Sequence, residues 1–292
     1  MLKLRGGLTM KSIIVDTSTG GLDYYKGKHN VSIIRIKIFI NDKGFLDGSE
    51  LTADSFYDMM RQHPDMVPKT SQPALGEVIS FFEDLYQQGY QNVFVTTIAS
   101  VLSGTHNVIK MAAEELKDKM HIRIFDTKTV CFSEGLFALE ADKMLSQGKS
   151  FDEIEQALIR MQQRNTIFFA VDSLTQLVLN GRLSGAQAFV GKLLKIKPIL
   201  QVQETGHIVS IERIRNIKSA LTMITTKVKD YVKDKPYDAY ILYTGNPSLR
   251  EHFVSVIKEE LGLENLYEAP STPVVGAHIG PDVIGIGIFK KD

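Results

Sequence analysis

The chain has 292 residues, of which 43% are hydrophobic and 23% charged, close to the globular averages of about 45–50% and 25%. At about 150 residues per domain this length suggests two domains, each able to bury a core without disulfides or metals. Lys+Arg 34 balances Asp+Glu 34, so no bulk field favours nucleic acid or an anionic membrane.

The single cysteine, Cys131, excludes an intramolecular disulfide and a Cys-rich zinc site, and fits a reducing cytoplasm. No run of about 18 apolar residues is present, so no bilayer-spanning segment is expected. Met10 directly precedes the first strand-like run, which makes it the expected natural start, with residues 1–9 an extension too short and broken for a signal peptide.

In chain order the pattern is strand, loop, helix, repeated. Ser12-Ile13-Ile14-Val15 is a short apolar run that ends at Asp16-Thr17-Ser18-Thr19-Gly20-Gly21. Residues 31–73 read as an arm between the first strand and the next βαβ unit. In it, Val31, Ile33, Ile34, Ile36, Ile38 and Ile40 mark one or two strands, and Asn41-Asp42-Lys43-Gly44 marks a turn. A short helix over 52–62 and a Pro-flanked loop over 64–73 follow. The stripe Val78, Phe81, Phe82 and Leu85 predicts a helix over 77–88 ended by Gly89. A strand over 92–97, a helix over 106–119 and a strand over 122–125 come next. Residues 132–164 predict two helices divided at Gly148, with Ser150 as the second start signal.

The texture changes near 165. A strand over 167–171 precedes a hairpin, 198–203 with 207–211, around Glu204-Thr205-Gly206. Helices over 217–233 and 248–261 flank a strand over 239–243, and a Gly-punctuated strand closes the chain over 283–289. Strands of this kind alternating with helices indicate parallel βαβ units. The expected domains are an N-terminal α/β domain over 10–165, carrying the arm, and a C-terminal α/β domain over 166–292.

Familiar catalytic signatures fail: there is no His-Glu-x-x-His, Gly-x-Ser-x-Gly or Gly-x-Gly-x-x-Gly. The stretch from Gly185 to Leu193 looks like a phosphate loop but has one residue too many between its glycines, and Leu193 replaces the magnesium-binding hydroxyl. The seven histidines never pair at metal-ligand spacing.

Three hydroxyl-bearing or His-bearing loops stand out at expected strand ends, where open α/β sheets bind ligands. They are Lys69-Thr70-Ser71-Gln72-Pro73, Ser100-Val101-Leu102-Ser103-Gly104-Thr105 and Gly276-Ala277-His278-Ile279-Gly280-Pro281. The second opens a helix, whose free N–H groups favour an anion. Each has an ordinary alternative. Ser103, Asp16 and Asp126 also read as caps, Thr70-Ser71 as a turn, and Arg182, Lys192, Lys195, Lys197, Arg213, Arg215 and Lys218 as solvated surface.

Taken together, the motifs resemble the DegV family of bacterial fatty-acid-binding proteins. The matching segments are Ile14-Val15-Asp16-Thr17-Ser18-Thr19, Thr70-Ser71-Gln72-Pro73, Leu102-Ser103-Gly104-Thr105, Asn180-Gly181-Arg182-Leu183-Ser184, Ile196-Lys197-Pro198-Ile199-Leu200, Arg213-Ile214-Arg215 and His278-Ile279-Gly280-Pro281, in family order. The resemblance implies a two-domain α/β fold, an N-terminal parallel sheet and a C-terminal mixed sheet. It also implies a long-chain fatty acid in a buried tunnel between the domains. Its carboxylate would be presented to an ATP-dependent fatty acid kinase subunit, for conversion to acyl phosphate and phospholipid synthesis.

By position, Thr70, Ser71, Ser103 and His278 resemble the carboxylate-binding set. Arg182 and Arg215 resemble the residues that engage the kinase or the acyl phosphate. No cofactor, metal or catalytic residue is implied in this chain. The sequence departs from the family where Ala99-Ser100 replaces a Ser-Ser pair, Asn180 a glycine and Asp282 a frequent glycine.

A lipid is energetically reasonable, because about fifteen methylenes at about 0.8 kcal/mol each supply on the order of 10 kcal/mol. A buried carboxylate then needs donors at the tunnel mouth. The Gly285-Ile286-Gly287 strand is expected to admit close approach of the ligand, and Phe169, Leu177, Val190 and Leu194 are lining candidates that also read as plain core. Two other readings stand. One is a stand-alone hydrolase or acyl-/phosphotransferase using Ser103, His278 and Asp16; the other is a lipid-sensing regulatory module.

Overall fold

The computed structural model describes residues 11–185 and 197–291. Residues 1–10, the 186–193 part of the phosphate-loop look-alike with Lys192, and Lys195, Val190 and Leu194 lie outside the described residues.

The chain opens with β1 (Lys11–Thr17), β2 (Val31–Ile34), β3 (Lys37–Ile40), β4 (Lys43–Leu46), α1 (Ala53–Gln62) and β5 (Lys69–Ser71). It continues with α2 (Leu75–Gln87), β6 (Tyr90–Thr97), α3 (Thr105–Glu115), β7 (His121–Asp126), α4 (Phe132–Ser146) and α5 (Phe151–Gln162). Then come β8 (Asn165–Ala170), α6 (Thr175–Leu179), β9 (Lys197–Val202), β10 (Ile208–Ile214), α7 (Ile217–Val232) and β11 (Tyr237–Tyr243). Helix α8 (Pro247–Leu261), β12 (Tyr267–Pro270), α9 (Pro273–Ile279) and β13 (Ile284–Lys290) complete it.

The first sheet is parallel, in the order β2-β1-β6-β7. Its strands are apolar on both faces because helices cover both. Ile13, Val15, Val93 and Val95 pack on Val78 and Phe82 of α2 and Val108 and Ile109 of α3. Ile14 and Phe94 point the other way, into a cluster with Phe137 of α4 and Ile154 and Leu158 of α5. Helix α5 starts where Ser150 marks it: the Ser150 hydroxyl accepts from the Glu153 N–H at 3.3 Å, and the Glu153 carboxylate accepts from the Ser150 N–H at 2.9 Å.

The arm is smaller than the sequence suggests. Residues 31–34 form the edge strand of the parallel sheet, paired with β1 from Ile14↔Val31 to Thr17↔Ile34. Arg35, ion-paired with Asp23, breaks the apolar run, and only β3 onward leaves that sheet. There β4-β3-β5 form an antiparallel sheet, its hairpin turned by Asn41 and Asp42 at φ of 48° and 62°. Thr70 and Ser71 therefore lie on a strand of this small sheet, not on a loop at the end of the main one.

The second sheet is mixed, in the order β10-β9-β8-β13-β11-β12, with β11 and β12 parallel and the other pairs antiparallel. Phe168, Ala170 and Ile199 bury one face under α7 and α8, together with Ile224, Val228, Phe253 and Ile257. Ile167, Phe169, Leu200, Val202 and Leu242 turn the other face toward the first half and share a cluster with Ile14, Phe94 and Phe137. Helix α4 lies between the two sheets, with Phe137 beside Phe289 of β13 and Phe132 beside Tyr240 of β11, and a cavity opens elsewhere in the same apolar layer.

Candidate functional site

A cavity lies between the loops of the parallel sheet and the inner face of the mixed sheet. Its floor is Ile167, Phe169, Val202, Ile208 and Leu242 from the mixed sheet. Its roof is Ile98, Leu102, Val130 and Cys131, from loops at the carboxyl ends of the parallel strands. The side wall joins Ile36, Thr70, Ser71 and Gln72 of the arm to Val274, Val275, His278 and Ile279 of α9, which packs against the arm, with Leu177 and Arg182 also in the lining. The lining is mostly aliphatic and aromatic, and four of its polar side chains, Thr70, Ser71, Ser103 and His278, come from the arm, the α3 entry and α9.

Among them the Thr70 Oγ1 and the His278 Nε2 lie 2.8 Å apart and share a hydrogen bond. The other ring nitrogen, Nδ1, is buried and has no hydrogen-bond partner among the described residues. Burial, and secondarily the Arg182 charge, pull the His278 imidazole down to about 4, so the ring is neutral at neutral pH. The Ser103 Oγ lies 2.9 Å from the Thr105 Oγ1 and accepts from the Thr105 N–H at 3.2 Å. It therefore makes the local cap-like bond and lines the cavity as well. Arg182 is half-buried, not solvated: its Nε donates to the Leu102 carbonyl at 3.3 Å, and a guanidinium nitrogen donates to the Asn180 carbonyl.

Five of the six residues named from sequence, Thr70, Ser71, Ser103, His278 and Arg182, line this one cavity. Arg215 is exposed, just beyond β10, and is not among the lining residues. Leu177 and Phe169 line it as well. His278 stands on α9 and not in a loop; Pro273 at the first turn starts that short helix. Ala99 is not in the lining: a Cβ on Gly206 would sit 2.8 Å from the Ala99 Cβ, so the β9–β10 turn covers it.

Other expectations change. The room left by the β13 glycines is taken by protein: the Tyr240 ring lies over Gly287, and Phe169 packs beside Gly285, where an added Cβ would meet the Phe169 Cβ at 2.6 Å. Asp126 behaves as a loop tie, accepting from the Ser100 and Lys128 N–H groups. Asp16 caps nothing. It is fully buried, accepts from the Thr96 hydroxyl at 2.8 Å, and is pushed up to about 7 by burial.

Sequence reasoning overlooked two more buried carboxyl groups. Glu134, in the first turn of α4, accepts from Thr17 and from the cavity-lining Thr19 at 2.9 and 2.8 Å. Burial, then the neighbouring Asp16, pushes it well above the usual carboxylate range. Asp47, after β4, is likewise pushed up to about 7 by burial. The available signal for Glu134 was one acid inside Cys131-Phe132-Ser133-Glu134-Gly135-Leu136-Phe137. Asp47 gave none.

Ser103, His278 and Asp16 do not assemble as a nucleophile relay: their side-chain bonds run separately to Thr105, Thr70 and Thr96. Among the described residues no group of three or more His, Cys, Asp or Glu is placed to hold a metal ion. No helix among them is long and apolar enough to cross a membrane.

Residues 11–291 match a family described as an uncharacterised protein, DegV family. A DegV domain-containing protein of Listeria monocytogenes is 31% identical over 276 residues, covering 94% of this chain and 96% of the relative. Among solved structures, a fatty acid binding DegV family protein from Streptococcus agalactiae superposes with a TM-score of 0.86 at 29% identity, covering 97% of this chain and 100% of that one. A stearic acid-binding protein from Eubacterium ventriosum gives a TM-score of 0.87 at 25% identity, covering 96% and 99%.

Proposed function

This chain belongs to the DegV family, and from that premise we propose that it is a non-catalytic carrier. It holds one long-chain fatty acid in the cavity between its halves and presents the carboxylate to an ATP-dependent kinase in the cytoplasm. The observation that carries the reading is the cavity itself, lined mostly by apolar side chains, with Thr70, Ser71, Ser103 and His278 among its few polar groups. Solved relatives of the same fold are described as binding fatty acids.

Burial of the methylenes supplies the affinity, and the head-group rim of those four side chains satisfies the carboxylate. A neutral His278 and the three hydroxyls donate hydrogen bonds without forming a close ion pair. The Arg182 guanidinium, occupied by the Leu102 and Asn180 carbonyls, adds positive potential nearby. A carboxylate held this way keeps its nucleophilic oxygen for the γ-phosphorus of ATP, where it forms the acyl phosphate and releases ADP on the partner. Arg182 at the mouth and exposed Arg215 are the cations we assign to the partner or to the new phosphate.

Native mass spectrometry of the purified protein, then organic extraction, tests the carrier reading. Expected is one equivalent of long-chain fatty acid. A protein saturated instead with a nucleotide, or one that takes up no fatty acid when offered it, would overturn it. Capture of an ATP-dependent kinase that phosphorylates the bound acid supports the partner assignment; a lipid sensor would keep the acid and yield no acyl phosphate.

A further inference from the structure

The buried carboxyl of Asp47 has no part in lining the cavity, yet it joins the arm to the helix that carries His278. Its loop is fixed locally: the Asp47 N–H donates to the Ile36 carbonyl at 3.0 Å, and the Arg35 guanidinium donates to the Asp47 carbonyl at 2.9 Å. From there the side chain, with no solvent exposure, reaches the first turn of α9 and accepts from the Val274 N–H at 3.2 Å. That N–H has no partner within the helix, as expected of a first-turn donor.

Helix α9 follows β12 of the far sheet in sequence, but its flank is packed in the arm. Val274 and Ala277 share a cluster with Ile36, Ile38, Phe56 and Tyr57. Gly276 has no side chain where the arm approaches, and a Cβ there would meet the Phe56 ring at 2.8 Å. The buried Tyr57 hydroxyl donates to the Ser271 carbonyl at 3.0 Å, just ahead of the helix. At the other end His278 meets Thr70 of β5, and β5 pairs with β3 through Ile38↔Thr70.

Val274 and His278 are four residues apart, about one helical turn and about 6 Å along the axis. One rigid turn is thus held by the arm at both ends, through Asp47 just after β4 and through Thr70 of β5. We infer that Asp47 is a positioning residue of the head-group rim: by fixing the start of α9 it sets where the His278 ring stands opposite Thr70. This rests on the carrier reading for its consequence, though not for its geometry. The desolvation cost of this buried acid is offset in part because an apolar residue there would leave the Val274 N–H unpaired.

The test compares Asp47→Ala with Asp47→Asn, which keeps an acceptor oxygen of the same shape. Two readouts are taken: the His278 ring Cε1–H resonance in ligand-free protein, and the rate at which oleate leaves for phosphatidylcholine vesicles. Asp47→Ala is expected to move the resonance and to speed release about tenfold, the loss of one buried hydrogen bond. Asp47→Asn is expected to restore the wild-type resonance and to bring release back within about twofold. An unmoved resonance in folded Asp47→Ala, or equal impairment in both variants, overturns the inference. Should Asp47→Ala not fold, Tyr57→Phe removes only the neighbouring tie; it too must move the His278 resonance, and failure to do so counts against the inference. Wild-type protein that takes up no oleate would remove the carrier reading and leave the resonance test standing.

Discussion

Val202 offers a direct test of the cavity. It lies on β9, is 2% exposed, and faces the gap between the sheets. Ile199 on the same strand is fully buried against α7 and α8 on the opposite face. Val202→Phe adds about four carbons to a space the ligand should occupy, displacing three or four methylenes. At about 0.8 kcal/mol each this costs a full-length acid about 3 kcal/mol, roughly a hundredfold in affinity. Acids extracted from the variant should be shorter than those from wild type by about three or four carbons, or their amount should collapse. Ile199→Phe adds a similar bulk to filled core and should cost about 1–3 kcal/mol of stability with the acid profile unchanged. Chromatography of the extracted methyl esters and denaturant unfolding read the two outcomes. A folded Val202→Phe protein with the wild-type profile and amount would refute the placement of the chain in this cavity.

Two further outcomes are expected. Thr70→Ala and Ser103→Ala should lower transfer of phosphate to the bound acid more than they lower retention. Each removes about 1 kcal/mol of head-group hydrogen bonding from roughly 10 kcal/mol of chain burial; equal losses in retention and transfer assays would contradict that division. Asp47, raised from 3.8 to about 7 by burial, should make stability fall as pH rises. Below about pH 4 both states are protonated and there is no penalty. Between there and about pH 7 the unfolded chain ionises first, and the difference grows to about 4 kcal/mol. The stability of Asp47→Asn relative to wild type, from urea unfolding, should therefore rise between about pH 4 and pH 8, with Asp16 and Glu134 still titrating in both. A flat difference would show that Asp47 is not buried in its acid form.

Much of the fold was legible because short apolar strands and striped helices obey local rules. The break at Gly148 and the Ser150 start are an αL turn and a reciprocal cap, both written in adjacent residues. The hairpin at Asn41-Asp42 is equally local. What failed was non-local. Nothing in Val31-Ser32-Ile33-Ile34 tells which sheet it joins, since its partner Ile14 lies far back in the chain. The β13 glycines do leave space, but Tyr240 and Phe169, from strands beside it, take it. Helix α9 has seven residues, too few to show a stripe.

The site was readable residue by residue but not as a mechanism. Thr70, Ser103 and His278 carry recognisable donors, yet the rim exists only because the arm and α9 come together from distant parts of the chain. If the rim binds a carboxylate as proposed, that assembly would let it use weak, neutral donors without losing precision. A guanidinium clamp would orient a carboxylate by charge alone, and it would hold the product of phosphorylation too. Hydroxyls and a neutral imidazole orient only if the backbone beneath them is fixed, because each bond contributes about 1 kcal/mol and fails when its geometry fails. The buried ties from Asp47 and Tyr57 to α9 supply that fixity away from the ligand. On the carrier reading proposed above, the methylenes would determine how tightly the acid is held, and the arm would determine which way its reactive end faces.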